Sequence, residues 1–302
     1  MTIGMIEPRT GIVIVFYRPD QACIERANRL AAFGMCVVVD NSETTCNKSE
    51  RGLVQSLVYV PNGANLGIAT ALNQGVERLI NAGCDSILLF DQDSEPSPEL
   101  LAGLPLAMRE LVLDGRRVAV IGPAYQDPRL GGVTPFVRFG FPALKRVPPT
   151  GRELIDVDFL ITSGSCVNAR AWADIGPMED ALFIDFVDLE WCVRARRAGY
   201  AVLGAPQFRL VHSLGDEPIR ILGRAYPSHG PLRHYYLFRN ATNLMLRGYM
   251  PWTWKWTELV AMPIRLAIYA MCLNPRATHI RMSLIGIWHG LTGKMGRLRR
   301  AT

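Results

Sequence analysis

Three apolar runs, each stopping abruptly at a polar cluster, constrain this chain more than any other feature. Residues 11–17 (GIVIVFY) end at Arg18-Pro19, residues 35–39 (MCVVV) run into Asp40-Asn41-Ser42, and residues 86–90 (SILLF) stop at Asp91-Gln92-Asp93-Ser94. Residues 57–60 form a further short run. Unbroken apolar runs of this length suit parallel strands covered on both faces. Between them, residues 21–33 read as a helix, and a second opens after Asn65-Leu66-Gly67, with apolar residues at 66, 69, 72 and 76. Strands alternating with helices predict an α/β chain built on a mostly parallel sheet flanked by helices. Ligands of such sheets collect at the carboxyl ends of the strands. The clusters at 17–18, 40–42 and 91–93 are therefore expected along one edge.

Residues 125–150 are rich in Gly and Pro and predict a long loop or an irregular hairpin, after which 159–167 return to strand character. Residues 183–199 predict a helix closing at Gly199, and 200–210 lead to Val211-His212. Beyond Asp216 the composition changes, which divides the chain into an α/β region over 1–215, where the candidate site residues fall, and a helical region over 216–302. Trp252, Trp254 and Trp256 precede an apolar stretch, 259–273, interrupted by Pro263 and Arg265. Its uncharged pieces fall short of the roughly 20 residues that cross a bilayer. Two readings remain: an in-plane membrane anchor, or a helical pair packed on the domain. The net charge of +6, visible in Lys294, Arg297, Arg299 and Arg300, suits an anionic partner, and beside the tryptophans a membrane surface is expected rather than a nucleic acid.

The first ten residues hold no apolar run of signal-peptide length, so the expected place is the cytoplasm, peripheral at the inner face of the cell membrane. Seven cysteines without a C-x-x-C pair point to reduced, mostly buried thiols rather than a disulfide framework or a zinc site.

Asp91 and Asp93, two residues apart at a strand end, suit a hard cation shared with phosphate oxygens, since Mg²⁺ or Mn²⁺ needs only one or two carboxylates beside a phosphate ligand. His212, at another strand end, is a candidate third ligand. Asp185, Asp188 and Glu190 crowd a short segment. On a helix Asp185 and Asp188 share a side, while Glu190 stands at i, i+4 from Arg194 and reads as half of an ion pair. One carboxylate able to deprotonate a hydroxyl is what a functional reading of the segment requires. The run 233–240 (RHYYLFRN) is dense in aromatic and cationic groups. It reads either as an amphipathic helix with snorkelling arginines or as the source of a cation for a departing diphosphate, for which Arg239 is the candidate.

Taken in order, Phe16-Tyr17-Arg18-Pro19, Asp40-Asn41-Ser42, Asn65-Leu66-Gly67-Ile68-Ala69 with Asn73, Asp91-Gln92-Asp93, Asp188-Leu189-Glu190-Trp191-Cys192-Val193-Arg194 and Val211-His212 resemble family 2 inverting glycosyltransferases, most of all bacterial rhamnosyltransferases. The resemblance spans about residues 10–245. It implies the GT-A fold, with Tyr17 and Arg18 flanking the nucleotide, Asp40 bonding the pyrimidine, and Asn65, Gly67 and Asn73 bordering the pocket. By the same likeness Gln92 marks the rhamnosyl form of the metal turn, Asp91, Asp93 and His212 hold Mg²⁺ or Mn²⁺, and Asp188 is the base. Val187 stands where the family carries an acid, so Asp185 remains the alternative. The implied donor is dTDP-L-rhamnose and the implied acceptor a lipid-linked saccharide. Two rivals differ in class. A sugar-nucleotide nucleotidyltransferase would need a Gly-rich first loop with a Lys-bearing motif, which Tyr17-Arg18-Pro19 does not offer. A non-catalytic nucleotide-binding membrane module would leave the Asp91 turn and Asp188 apart.

Overall fold

The structure, a computed structural model, describes residues 9–127, 132–211, 219–221, 224–226 and 229–298. β1 (Thr10–Phe16) pairs in parallel with β2 (Met35–Asp40), β2 continues in parallel to β3 (Val58–Pro61), and β1 takes β4 (Ser86–Asp91) on its other side, also in parallel. Alternate residues of β1 enter different cores. Ile12, Ile14 and Phe16 pack with Leu30, Leu100 and Leu104, whereas Val13 and Val15 pack with Leu72, Val76 and Leu79. Side chains of a strand alternate between its faces, so burial on both sides is what makes the run continuous in the sequence.

The first core is closed by α1 (Gln21–Leu30), whose Asp20 cap accepts the Cys23 amide at 2.9 Å, and the second by α2 (Ile68–Asn81). α3 (Pro98–Leu113) leads to β5 (Val118–Asp127). The Gly/Pro-rich stretch holds β6 (Gly132–Val133) and the hairpin of β7 (Phe136–Arg138) with β8 (Lys145–Val147), followed by β9 (Ile155–Asp156). β10 (Cys166–Asn168) is antiparallel to both β4 and β5. α4 (Ala169–Ile175), α5 (Val187–Arg197) and β11 (Ala201–Val211) follow, and β11 is parallel to β5 and antiparallel to β9. Among the described residues the result is a mixed nine-stranded sheet, β3-β2-β1-β4-β10-β5-β11-β9 with β6 beside β5. It is less uniformly parallel than the strand–helix alternation predicts. The regular part of the strand expected over 159–167 begins only at Cys166, because residues 161–163 turn along the carboxyl edge of β4.

Two short strands, β12 (Ile219–Ile221) and β13 (Arg224–Tyr226), precede α6 (Pro231–Leu246), α7 (Trp252–Cys272) and α8 (Arg276–Leu291). α6 and α8 approach closely because Gly286 and Gly290 face α6: a Cβ at either would lie 2.5 Å from the carbonyl oxygen of Tyr235 or Arg239, respectively. α7 buries Trp254, Met262 and Tyr269, yet its outer face is apolar too. Glu258 is buried and pairs with Arg265 at 2.6 Å, while Trp252, Trp256, Leu259, Val260, Ile264 and Met271 are exposed. No helix among the described residues is long and apolar enough to cross a membrane. All seven cysteines are free and five are buried, as expected of reduced core thiols.

Candidate active site

The sheet register brings the polar clusters together. Phe16 lies level with Asp40, and Val15 with Asp91. Beyond these positions Gln92 Oε1 accepts the Tyr17 amide at 2.8 Å, and Ser42 Oγ accepts the Arg18 amide at 2.7 Å, with Arg18 at φ +50°. The ends of β1, β2 and β4 thus form one polar rim. Glu43, which carries no sequence motif of its own, accepts from the Tyr17 hydroxyl at 3.2 Å and from Arg18 Nε at 3.1 Å, so both side chains reach solvent as one unit.

Two of the expected nucleotide contacts are engaged elsewhere. Asp40 is 1% exposed; its Oδ1 accepts the Ser42 amide at 2.9 Å, and its Oδ2 meets the Tyr59 hydroxyl and Arg51 Nη2, each at 2.7 Å. These contacts brace the β2 end, and Oδ1 accepts only the Ser42 amide. Asn73 donates to the Met178 carbonyl at 2.7 Å and to Asp180 Oδ1 at 2.8 Å and accepts the Met178 amide at 2.9 Å. It clamps α2 to residues 178–180. Asn65 and Gly67 do shape the start of α2. Asn65 Oδ1 accepts the Gly67 amide at 3.0 Å, and Gly67, at φ +92°, leaves no room for a Cβ, which would fall 2.6 Å from the Phe183 carbonyl oxygen.

A cavity of about 420 Å³ opens beside this rim. Asp91 lines it from the end of β4, Thr162 and Ser163 from the neighbouring turn, Asp185 from the turn before α5, Asp188 from the start of α5, and Arg233 from α6. Asp91 and Asp188 therefore share one cavity, which removes the separation that a non-catalytic module requires. Asp93 is exposed and does not line it. His212 lies outside the described residues, as do Arg299 and Arg300 of the basic tail.

The expected helix over 183–199 starts late. Phe183, Asp185 and Phe186 adopt φ of +65°, +64° and +64°, and α5 begins at Val187. Asp185 consequently sits in a left-handed turn before the helix, not one helical turn from Asp188 on a shared face. Its Oδ1 accepts from Arg233 Nε at 3.1 Å, and its Oδ2 is buried with no hydrogen-bond partner. Asp188 occupies the first turn of α5, and its Oδ1 accepts the Leu189 amide at 2.8 Å. Burial pushes its carboxyl up to about 6, the Asp185 charge adds to this, and backbone donors oppose it. A carboxylate with that midpoint is ionised at neutral pH yet basic enough to take a proton from a positioned hydroxyl. Glu190 forms the expected pair with Arg194 at 2.8 Å and is buried away from the cavity.

Arg239 cannot serve a diphosphate. It is wholly buried, with its guanidinium donating to the carbonyls of Gly296, Ala181 and Leu182 and to Asn240 Oδ1, and lying over the rings of Tyr235 and Tyr236. The cation at the cavity is Arg233, two turns earlier on the same helix. Its position at the N-terminal end of α6 follows from Pro231 at the helix start, a signal that periodicity alone does not convert into proximity to Asp185.

Among proteins of known activity, the chain is 28% identical over 290 residues to the dTDP-rhamnosyl transferase RfbF of Shigella flexneri, covering 94% of this chain and 96% of that protein. It is 22% identical to the low-salt glycan biosynthesis hexosyltransferase Agl10 of Haloferax volcanii, with 96% and 93% covered. The fold is shared with GalNAc-T7, solved with UDP, GalNAc and Mn²⁺, at a TM-score of 0.54 and 13% identity, over 94% of this chain and 56% of that one. It is shared also with residues 1–349 of S. aureus TarS, at a TM-score of 0.50 and 14% identity, over 95% and 82%. The chain is a GT-A-type glycosyltransferase. No protein-family model matches the sequence. Within this glycosyltransferase the rim formed by β1, β2 and β4 and the cavity beside it lie at the carboxyl edge of the sheet, where an α/β fold binds its ligands.

Proposed function

We propose that the enzyme transfers L-rhamnose from dTDP-L-rhamnose, with inversion, to a hydroxyl of a lipid-linked saccharide in the assembly of a cell-surface polysaccharide. The observation that carries this reading is the shared cavity of Asp91, Asp188 and Arg233; the choice of donor rests on the likeness to a dTDP-rhamnosyl transferase along nearly the whole chain. Asp188 takes the proton of the acceptor hydroxyl as its oxygen bonds to the anomeric carbon. The bond from that carbon to the diphosphate breaks from the opposite side, and the electron pair leaves with the nucleoside diphosphate. Arg233 provides positive charge for the leaving group. Tyr17, Arg18, Asn65, Gly67 and Gln92 form or support the nucleotide side of the site, and Asp40 holds the β2 end from beneath.

The oxygen donors suit a divalent cation. Asp91 faces the cavity, Asp185 Oδ2 is a buried oxygen with no hydrogen-bond partner, and among the described residues no three potential ligands cluster to close a site by themselves. Hard oxygens completed by substrate phosphates are the coordination that Mg²⁺ or Mn²⁺ takes. Asp91 would hold the cation from the protein side, with Asp93 and His212 as further ligands, and the bound cation would neutralise charge on the diphosphate.

The outer face of α7 supports attachment to the inner face of the cell membrane as a peripheral protein. All of its exposed large side chains are apolar, and Phe141 packs tilted against Trp252 and Trp256 with ring centroids 5.3 and 5.8 Å away. Tryptophans at one end of an apolar stripe suit the level of lipid headgroups. In this reading the chain keeps a catalytic region over 1–215 and a helical region over 216–302 that meets acceptor and membrane.

Hydrolysis of a panel of purified nucleotide sugars tests the donor, with dTDP-L-rhamnose expected to be consumed fastest and only with Mg²⁺ or Mn²⁺ present. Preference for another nucleotide sugar overturns the donor, and full activity in chelator overturns the metal.

A further inference from the structure

We infer that Asn240, which touches neither cavity nor solvent, is a positioning residue for the base, because its side chain holds the strained left-handed turn that aims Asp185 and Asp188 into the cavity. The inference rests on the proposed role of Asp188. Three non-glycine residues within four positions, Phe183, Asp185 and Phe186, have φ between +64° and +65°. Such conformations persist only where the surroundings over-determine them, and they gather at functional sites. Here the determinant is visible. Asn240 Nδ2 lies 2.9 Å from the Leu182 carbonyl oxygen, 2.7 Å from that of Ile184 and 3.0 Å from that of Asp185. Asn240 itself is 0% exposed, and its Oδ1 is fixed by Arg239 Nε at 2.9 Å, while Arg239 Nη2 donates at 2.8 Å to the same Leu182 carbonyl.

The two hydrogens of one amide group, one of them shared, thus gather the carbonyls of residues 182, 184 and 185, and the Arg239 guanidinium keeps that amide from rotating. The right-handed helix can start only where the gathering stops, at Val187, which places Asp188 in its first turn. The opposite wall is made by Trp254 of α7, whose ring meets Phe186 edge-on at 5.7 Å. Without the Asn240 donors the turn would relax toward ordinary φ and α5 could extend backwards through Asp185. The base would then point elsewhere, although the residues that bind the nucleotide, on β1, β2 and β4, would not move.

The effect should therefore fall on turnover and not on donor binding. A displacement of about 1 Å in a catalytic group costs about 10²-fold in rate, and Asn240→Ala should lower kcat by about that factor while the donor KM and the donor dissociation constant change less than about three-fold. Asn240→Ser, which keeps one donor, should recover part of the loss and serves as the readout should the alanine variant not fold. In the Asp188→Asn background, Asn240→Ala should cost less than about two-fold more, since residues that act through one group are not additive. Loss of donor affinity with kcat retained, or a full additional loss in the Asp188→Asn background, overturns the positioning role. An Asp188→Asn variant of normal activity overturns instead the base assignment on which it rests.

Discussion

Replacing Asp188 by Asn should make the free enzyme more stable at neutral pH. The folded chain holds this carboxyl at about 6, against 3.8 ordinarily, chiefly by burial, so its charged form is disfavoured in the fold relative to the unfolded chain. A folded midpoint raised above the unfolded one means that the penalty is absent below pH about 4, grows as pH rises from about 4 to 6, and is constant above. At about 1.4 kcal/mol per pH unit the ceiling is about 3 kcal/mol, and solvent at the cavity mouth reduces it to about 1–2 kcal/mol. The asparagine keeps an oxygen for the Leu189 amide and carries no charge. In metal-free buffer at pH 7.5, scanning calorimetry should show Tm higher by roughly 2–3 °C, with the difference disappearing near pH 4. An Asp188→Asn variant that is less stable at pH 7.5, or equally stabilised at pH 4 and 7.5, would refute the burial of an ionisable base at this position.

Arg239→Ala should cost about 2–3 kcal/mol, because the Gly296 carbonyl loses its guanidinium donor and those of Ala181 and Leu182 each lose one donor and keep another, and chemical denaturation should read it; unchanged stability with lost donor binding would return Arg239 to the diphosphate. Trp256→Glu with Ile264→Glu should abolish flotation with anionic vesicles while circular dichroism stays unchanged, since each apolar side chain withdrawn from lipid forfeits about 2 kcal/mol; unchanged flotation would mean that another surface meets the membrane or none does. The pH profile of kcat/KM should fall on the acid side with a midpoint near 6, as Asp188 becomes protonated; a midpoint near 4 would point to a solvated base.

The sheet was legible because its strands carry their burial in the sequence: alternate residues of residues 11–16 feed two separate cores, and only an unbroken apolar run can do so. The convergence of 17–18, 40–42 and 91–93 followed from parallel pairing alone. What could not be read were distances across the chain. The run RHYYLFRN shows two arginines with equal claim on a phosphate, and only the packing of α6 against residues 181–186 separates the buried Arg239 from Arg233 at the cavity. Likewise Asp40 and Asn73 match the motif but are consumed by Tyr59, Arg51, Met178 and Asp180, partners 11 to 107 residues away in sequence. The late start of α5 was hidden for a related reason. Only Asp185 in Phe183-Ile184-Asp185-Phe186 is of a type that tolerates positive φ, and at the two phenylalanines the conformation is imposed from outside by Asn240.

The most direct test of the mechanism is the initial rate of rhamnosyl transfer from dTDP-L-rhamnose to a lipid-linked saccharide acceptor, measured beside donor binding for the unmutated enzyme, Asp188→Asn and Asp185→Asn. A positioned carboxylate base contributes about 10² to 10⁴ in rate. The expected result is a loss of that size in Asp188→Asn with the donor dissociation constant nearly unchanged, and a smaller loss in Asp185→Asn through the freed Arg233. Near-normal transfer by Asp188→Asn together with its loss in Asp185→Asn would contradict the assignment of the base to Asp188.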